Sequence, residues 1–113
     1  QIAALNAFDC RLELDAYVRK YAGNRDLLLT ELPRAGITQF APADGAFYLY
    51  ADIGHLTNDS STFCQRLLAE TGVALTSGID FDPGRGARTV RIAFAGPPDD
   101  IAEAAARIGR WLR

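Results

Sequence analysis

The hydrophobic period of the sequence changes at Gly36, and this change limits the fold more than any other feature. Before it, apolar residues recur at helical spacing. Leu5, Phe8 and Leu12 start the series, followed by Leu14, Tyr17, Val18 and Tyr21 over 2–22. Gly23-Asn24 offers a break, yet Tyr21, Arg25, Leu28 and Leu32 keep one face across it. One long helix with a weak joint and two separate helices fit this pattern equally. The periodicity stops between Pro33 and Gly36.

After Gly36 the runs are short and bounded by breakers. Residues 37–41 and 46–52 have the length and aromatic content of strands, with a turn over 42–45. Asp59, Ser60, Ser61 and Thr62 offer N-caps for a third helical stretch, Thr62 with Gln65 making a capping box. Phe63, Cys64, Leu67 and Leu68 give that helix an apolar face, and Gly72 stands where a C′ glycine belongs. Residues 73–76 and 88–95 follow as strands, joined by the glycine-rich loop 77–88. A last helix begins after Gly96-Pro97-Pro98 and carries Ile101, Ala104, Ala105, Ile108 and Leu112 on one stripe. The order α, β, β, α, β, β, α predicts a two-layer α+β domain. Its sheet is small and mostly antiparallel, with three or four strands, and its helices pack on one face. The opposite face must then meet water or a partner.

Composition narrows the function classes. The 113 residues are 49% hydrophobic and 23% charged, enough for a single core and too apolar for a disordered chain. A net charge of −2 gives no basic surface for nucleic acid or for a membrane. No apolar run approaches the roughly 18 residues of a membrane span, and no signal-peptide pattern is present. Cys10 and Cys64 fit no CxxC spacing, which suits two free thiols in a reducing, cytoplasmic compartment. The chain contains no Met, so Gln1 is not a translation start and a longer parent protein is expected. Lys20 is the only lysine beside eleven arginines, so chemistry needing a reactive amine has one candidate.

Arg91 is the leading site residue. In the strand over 88–95, Val90, Ile92 and Phe94 point one way and Thr89, Arg91 and Ala93 the other. The first set belongs under the helices. Arg91 then lies on the open face between two small neighbours, where a planar guanidinium suits bidentate capture of a carboxylate. A solvated or ion-paired strand arginine fits the same pattern. Gly84-Arg85-Gly86 and Arg88 offer an anion cradle, although turn chemistry alone accounts for the glycines. Asp80 and Asp82 form DxD without the further carboxylates of a calcium loop, so no metal is expected. His55, the sole histidine, would need Cys64 or Ser77 beside it to serve a nucleophile. Phe47, Tyr48 and Tyr50 suit a core or an interface, and which of them shares the face of Arg91 depends on register.

The run DGAFYLYADI, the capped helix SSTFCQRLLAETGV, LTSGIDF, TVRIAFA and a closing helix follow one another in a specific order. Together they resemble the C-terminal small domain of class I/II aminotransferases, pyridoxal-phosphate enzymes of fold type I. YVRKYAGNRDLLLTELPRAGI resembles the helix that joins the large domain of that family to its small one. The resemblance implies an interdomain helix and its continuation over 1–35, and a small α+β domain over 36–113. It implies transfer of an amino group between an amino acid and a 2-oxo acid, with Arg91 on the substrate carboxylate and Phe47 near the substrate. It also implies pyridoxal 5'-phosphate held by a missing large domain, a homodimer when full-length, and no nucleic-acid or membrane partner. The sequence departs from the family in having Ser77-Gly78 where Pro-Gly is usual, and in lacking the Schiff-base lysine, since Lys20 falls in no matching motif. The isolated chain is therefore expected to be inactive. A free-standing amino-acid-binding module, or the small domain of a related decarboxylase or synthase, would share most of these features.

Overall fold

The structure, a computed structural model, describes residues 11–41 and 47–113. Helix α1 (Arg11–Ala35) leads to strands β1 (Gln39–Phe40) and β2 (Tyr48–Asp52), then to helix α2 (Ser60–Thr71). Strand β3 (Thr76–Ser77), two short 3-10 turns (Gly78–Asp80 and Gly86–Arg88), strand β4 (Thr89–Ala93) and helix α3 (Pro98–Leu112) complete the chain. The four strands form one antiparallel sheet in the order β1-β2-β4-β3. This is the expected α+β class. The expected helical stretch carrying Leu5 and Phe8, together with Cys10, lies outside the described residues.

Helix α1 runs through Gly23-Asn24 without a break. Asn24, which read as a breaker, is 2% exposed, and its Nδ2 donates to the carbonyls of Phe94 and Gly96, both at 2.8 Å. A long-range tie to the end of β4 thus outweighs a weak local preference. Pro33 also fails to stop the helix and lies in its last turn. The end comes at Gly36 (φ 104°), where the N–H groups of Gly36 and Ile37 close on the carbonyls of Pro33 and Leu32 at 3.1 and 3.0 Å. That paired closure needs a left-handed residue, which glycine supplies.

The caps of α2 differ from the expected box. Asp59 is the N-cap, its Oδ1 accepting from the Thr62 N–H at 3.1 Å and its Oδ2 from Thr62 Oγ1 at 2.8 Å. Gly72 ends the helix in the left-handed conformation as expected, with its N–H on the Leu68 carbonyl. Leu68 is exposed, unlike Phe63, Cys64 and Leu67, because it sits about 100° round the helix from Leu67. The third strand forms at Thr76–Ser77 rather than over 73–76, where it pairs with Arg91 and Val90 of β4. Val73 is buried ahead of it.

Leu49 and Ala51 of β2, Val90 and Ile92 of β4, and Phe94 form the floor of the core. Leu28 and Leu32 of α1, Phe63 and Leu67 of α2, and Ala105 and Ile108 of α3 cover it. Burying each large side chain contributes roughly 1.5–3 kcal/mol, so this floor fixes which face of the sheet the helices take. Strand alternation then commits Tyr48, Tyr50 and Asp52 of β2, with Thr89 and Arg91 of β4, to the face without helices.

Candidate functional site

Tyr50 stands directly opposite Arg91 across the β2–β4 ladder, and Asp52 opposite Thr89. Opposed residues share a face, so register now settles that Tyr48 and Tyr50 lie with Arg91. The half-buried guanidinium of Arg91 lies over the ring of Tyr48 at 4.9 Å and the ring of Phe81 at 5.2 Å. Both separations are inside the roughly 6 Å reach of a cation–π contact. Arg25, Arg34, Arg66, Arg85, Arg88, Arg107 and Arg110 each have an acidic partner. Among the described residues Arg91 has none, and its guanidinium makes no hydrogen bond to them. The expectation of two small neighbours that leave space holds on one side only. Ala93 is exposed, but Thr89 is 1% exposed because the loop after β3 folds back over it.

That loop is built by close backbone contact. A Cβ on Gly86 would lie 2.6 Å from the backbone N and Cα of Ile79, and one on Gly78 would collide with Thr89 Oγ1. Only glycine lets the two 3-10 turns interlock. Asp82 then fixes the loop to itself and to the sheet. Its Oδ1 accepts from the N–H groups of Gly84 and Arg85 at 3.1 and 3.0 Å, and its Oδ2 from the Tyr50 hydroxyl at 2.5 Å. Thr89 Oγ1 lies 2.9 Å from Tyr50 Oη and 3.0 Å from the Arg85 carbonyl. The Tyr50 bond first, then the Arg85 N–H, holds the Asp82 carboxyl below the usual carboxylate range. Burial, followed by the bond to Asp82, pushes the Tyr50 phenol up.

The loop does not form the anion cradle that its glycines and arginines suggested. Arg88 grips Asp52 with Nε on Oδ1 at 3.3 Å and NH2 on Oδ2 at 2.8 Å, and Arg85 NH2 reaches Oδ2 at 2.9 Å. The Gly54 N–H adds a bond to Oδ1 at 2.8 Å. Arg88 first, then this N–H, lowers the Asp52 carboxyl to about 2. Both guanidiniums are therefore occupied by a residue of the same chain, and the N–H groups of Gly84 and Arg85 by Asp82. Spacing revealed neither Asp52 nor Asp82 in these roles, because their partners lie in distant segments.

The remaining candidates separate. The Phe47 ring meets Tyr21 of α1 edge-on at 5.2 Å, so the structure does not bring Phe47 to the rings that hold Arg91. His55 Nε2 lies 2.5 Å from the Gly36 carbonyl, while Ser77 Oγ bonds Ser60 Oγ at 2.8 Å. Cys64 is buried, and burial first, with the Asp80 charge, raises its thiol to about 11. No histidine–nucleophile pair forms from these residues. No described helix is long and apolar enough to cross a membrane.

A small α+β unit whose helix-free face carries a ring-held arginine with no acidic partner among the described residues is the class that fold and site define. A model of the family "Aminotransferase class I and II" matches residues 1–108, and the chain belongs to that family. It is 56% identical to valine–pyruvate aminotransferase of Mycobacterium tuberculosis over 99% of its own length and 29% of that protein's. It is 33% identical to (5-formylfuran-3-yl)methyl phosphate transaminase of Methanocaldococcus jannaschii, over 99% of its length and 30% of that protein's. A crystal structure of an aminotransferase from Mycobacterium tuberculosis superposes with a TM-score of 0.94 at 56% identity, covering 99% of this chain and 30% of that one. The chain thus spans about 30% of the relatives it matches. The family implies pyridoxal phosphate, but the described residues do not fit as its anchor. Lys20, the sole lysine, lies exposed on α1 with its Nζ over the Tyr17 ring at 5.7 Å. Helix α1 packs on the core side of the sheet, away from the face of Arg91.

Proposed function

We propose that this chain is the substrate-closing part of a pyridoxal-phosphate-dependent aminotransferase, with Arg91 taking the α-carboxylate of the amino acid or 2-oxo acid. The supporting observation is the state of the Arg91 guanidinium: half-buried, stacked on two rings, and without an acidic partner among the described residues. No acidic side chain among the described residues competes for this half-buried cation, which leaves its fork open to a substrate carboxylate. The planar fork also supplies two parallel N–H donors to one carboxylate, which fixes orientation as well as charge.

In this reading residues 1–35 link to the large domain, 36–113 form the small domain, and the lysine and the phosphate-binding groups lie on the large domain. The enzyme works as a cytoplasmic homodimer, and the isolated chain is inactive. The exposed rings of Tyr48 and Phe81 beside Arg91 offer an apolar wall, which favours substrates with aliphatic side chains. The name of the 56%-identical valine–pyruvate relative supports the same choice.

The test uses the full-length enzyme with Arg91→Ala and Arg91→Lys, assayed on an amino acid and on its decarboxylated amine. Loss of a charged hydrogen bond costs roughly 1.5–3 kcal/mol, or about ten- to a hundredfold in kcat/KM. The amino acid should lose that factor, the amine should lose little, and lysine should restore only part. Equal loss on both substrates would overturn the assignment.

A further inference from the structure

The ring that covers Arg91 is itself held from behind. Phe81 meets Tyr50 edge-on, with centroids 5.3 Å apart and planes at 67°, and also lies against the Arg91 guanidinium. The residue after Phe81 is Asp82, whose Oδ2 takes the Tyr50 hydroxyl proton in a hydrogen bond. Tyr50 therefore touches Phe81 through its ring and grips the neighbouring residue through its hydroxyl. Tyr50 is in turn fixed on β2 opposite Arg91. The four residues close a circuit: Arg91 to Phe81 by stacking, Phe81 to Asp82 by the chain, Asp82 to Tyr50 by a hydrogen bond, and Tyr50 back to Arg91 across the ladder.

We infer that the Tyr50–Asp82 hydrogen bond is a latch that sets Phe81 against Arg91, making both residues positioning residues for carboxylate capture. The inference rests on the carboxylate reading of Arg91. Neither latch residue need touch substrate. Phe81 remains 41% exposed and its backbone N–H bonds within the loop, to the Gly78 carbonyl, so the latch ties this corner to the sheet. A long arginine side chain samples many rotamers, and a ring fixed on its face removes some of them before the substrate arrives. Tyr48 supplies the second ring from within the sheet and needs no latch.

The interlocked glycines hold the two 3-10 turns together, so the latch sets where the Phe81–Asp82 corner between them sits on the sheet rather than whether the loop forms. Tyr50→Phe tests this directly, since it keeps the ring against Phe81 and removes only the hydroxyl. In the full-length enzyme Tyr50→Phe and Asp82→Ala should each raise KM for the amino acid about three- to tenfold, with kcat changed less than twofold. Asp82→Asn has one side-chain oxygen for the two tasks of the carboxylate, the loop N–H groups and the Tyr50 hydroxyl, so it should recover only part of the loss. Hydrogen exchange at the Gly84 and Arg85 amides should quicken in Asp82→Ala, which removes their acceptor, and stay slow in Tyr50→Phe.

The decisive measurement is a double-mutant cycle of Tyr50→Phe with Arg91→Ala. If the latch acts through Arg91, Tyr50→Phe adds nothing once Arg91 is gone. The same factor in both backgrounds overturns the latch and leaves the carboxylate reading standing. An unchanged KM in Tyr50→Phe, with Arg91→Ala still selective against the amino acid, overturns the latch alone. Equal loss on acid and amine in Arg91→Ala overturns the carboxylate reading and the function of the latch with it.

Discussion

Arg88 holds Asp52 by two hydrogen bonds, Nε to Oδ1 at 3.3 Å and NH2 to Oδ2 at 2.8 Å, and so joins the end of the loop on the helix-free face to the end of β2. The carboxylate is little exposed, whereas the Arg85 and Arg88 side chains are more than half exposed. The pair therefore works at reduced strength through partial solvent screening.

This pair should make stability depend on pH in the acid range. The folded Asp52 titrates at about 2, below its ordinary value of 3.8. A depressed pKa gives stability that is complete above the unfolded value and is lost as pH falls through the folded one. The window is thus roughly pH 4 to pH 2. Allowing for screening, Asp52→Asn should cost about 1–2 kcal/mol at pH 7. Urea titrations at pH 7, 4, 3 and 2 should show the gap between the proteins closing over that window. A gap of constant size would remove the ion pair as its source.

Gly86→Ala should destabilise by about 3 kcal/mol, at the upper end of overpacking costs. Its new Cβ would meet backbone atoms of Ile79 at 2.6 Å, and backbone cannot rotate away as a side chain can. Gly84→Ala, whose Cβ would come no nearer than 3.7 Å to Asp82, should change stability far less. Comparing the two urea midpoints separates a steric cost from a general loss of loop glycine.

Cys64 should be nearly inert in the folded protein. Its thiol titrates at about 11, so at pH 8 about one molecule in a thousand carries the thiolate that reacts. In a Cys10→Ser background, a disulfide reagent should label the native protein at least about a hundredfold more slowly than the urea-unfolded one. Rapid native labelling would mean that the site opens or that the thiol is not held up by burial.

The parts of the fold set by local chemistry were legible in the sequence. Val90, Ile92 and Phe94 alternate with Arg91, and that parity alone put Arg91 on the helix-free face. Gly72 marked a helix end and Pro98 a helix start. What stayed hidden is long-range polar pairing. Tyr50 and Asp82 are 32 residues apart, and Asp52 and Arg88 are 36 apart, so no window of periodicity contains both partners. Lacking these partners, the sequence offers Asp82 as half of a DxD and Arg88 as part of an anion cradle. The register of β2 on β4 is what resolves both. Phe81 was missed for the same reason, since only the folded loop lays its ring on Arg91.

Asn24 gives the sharpest test of such a hidden pairing, because its partners lie 70 and 72 residues away. Its Nδ2 supplies both protons that the carbonyls of Phe94 and Gly96 receive from it, in a site only 2% exposed. Asn24→Ala removes the donor and leaves two acceptors without it, which should cost about 1–3 kcal/mol. Better helix propensity returns at most about 0.7 kcal/mol of that. Asn24→Asp is close in shape but sets a carboxylate against two carbonyl oxygens, so at pH 7 it should be worse than alanine. The sign then reverses on acidification. Once protonated, the carboxyl introduced by Asn24→Asp offers one O–H donor. Its folded pKa must therefore lie above the unfolded value of about 3.9, and the variant should gain on the parent as pH falls from the folded value towards about 3.9. Thermal unfolding of the three proteins at pH 7 and pH 4 decides the matter. If Asn24→Asp matches Asn24→Ala at both pH values, the two carbonyls do not depend on a donor from α1, and the continuous helix across Gly23-Asn24 needs another cause.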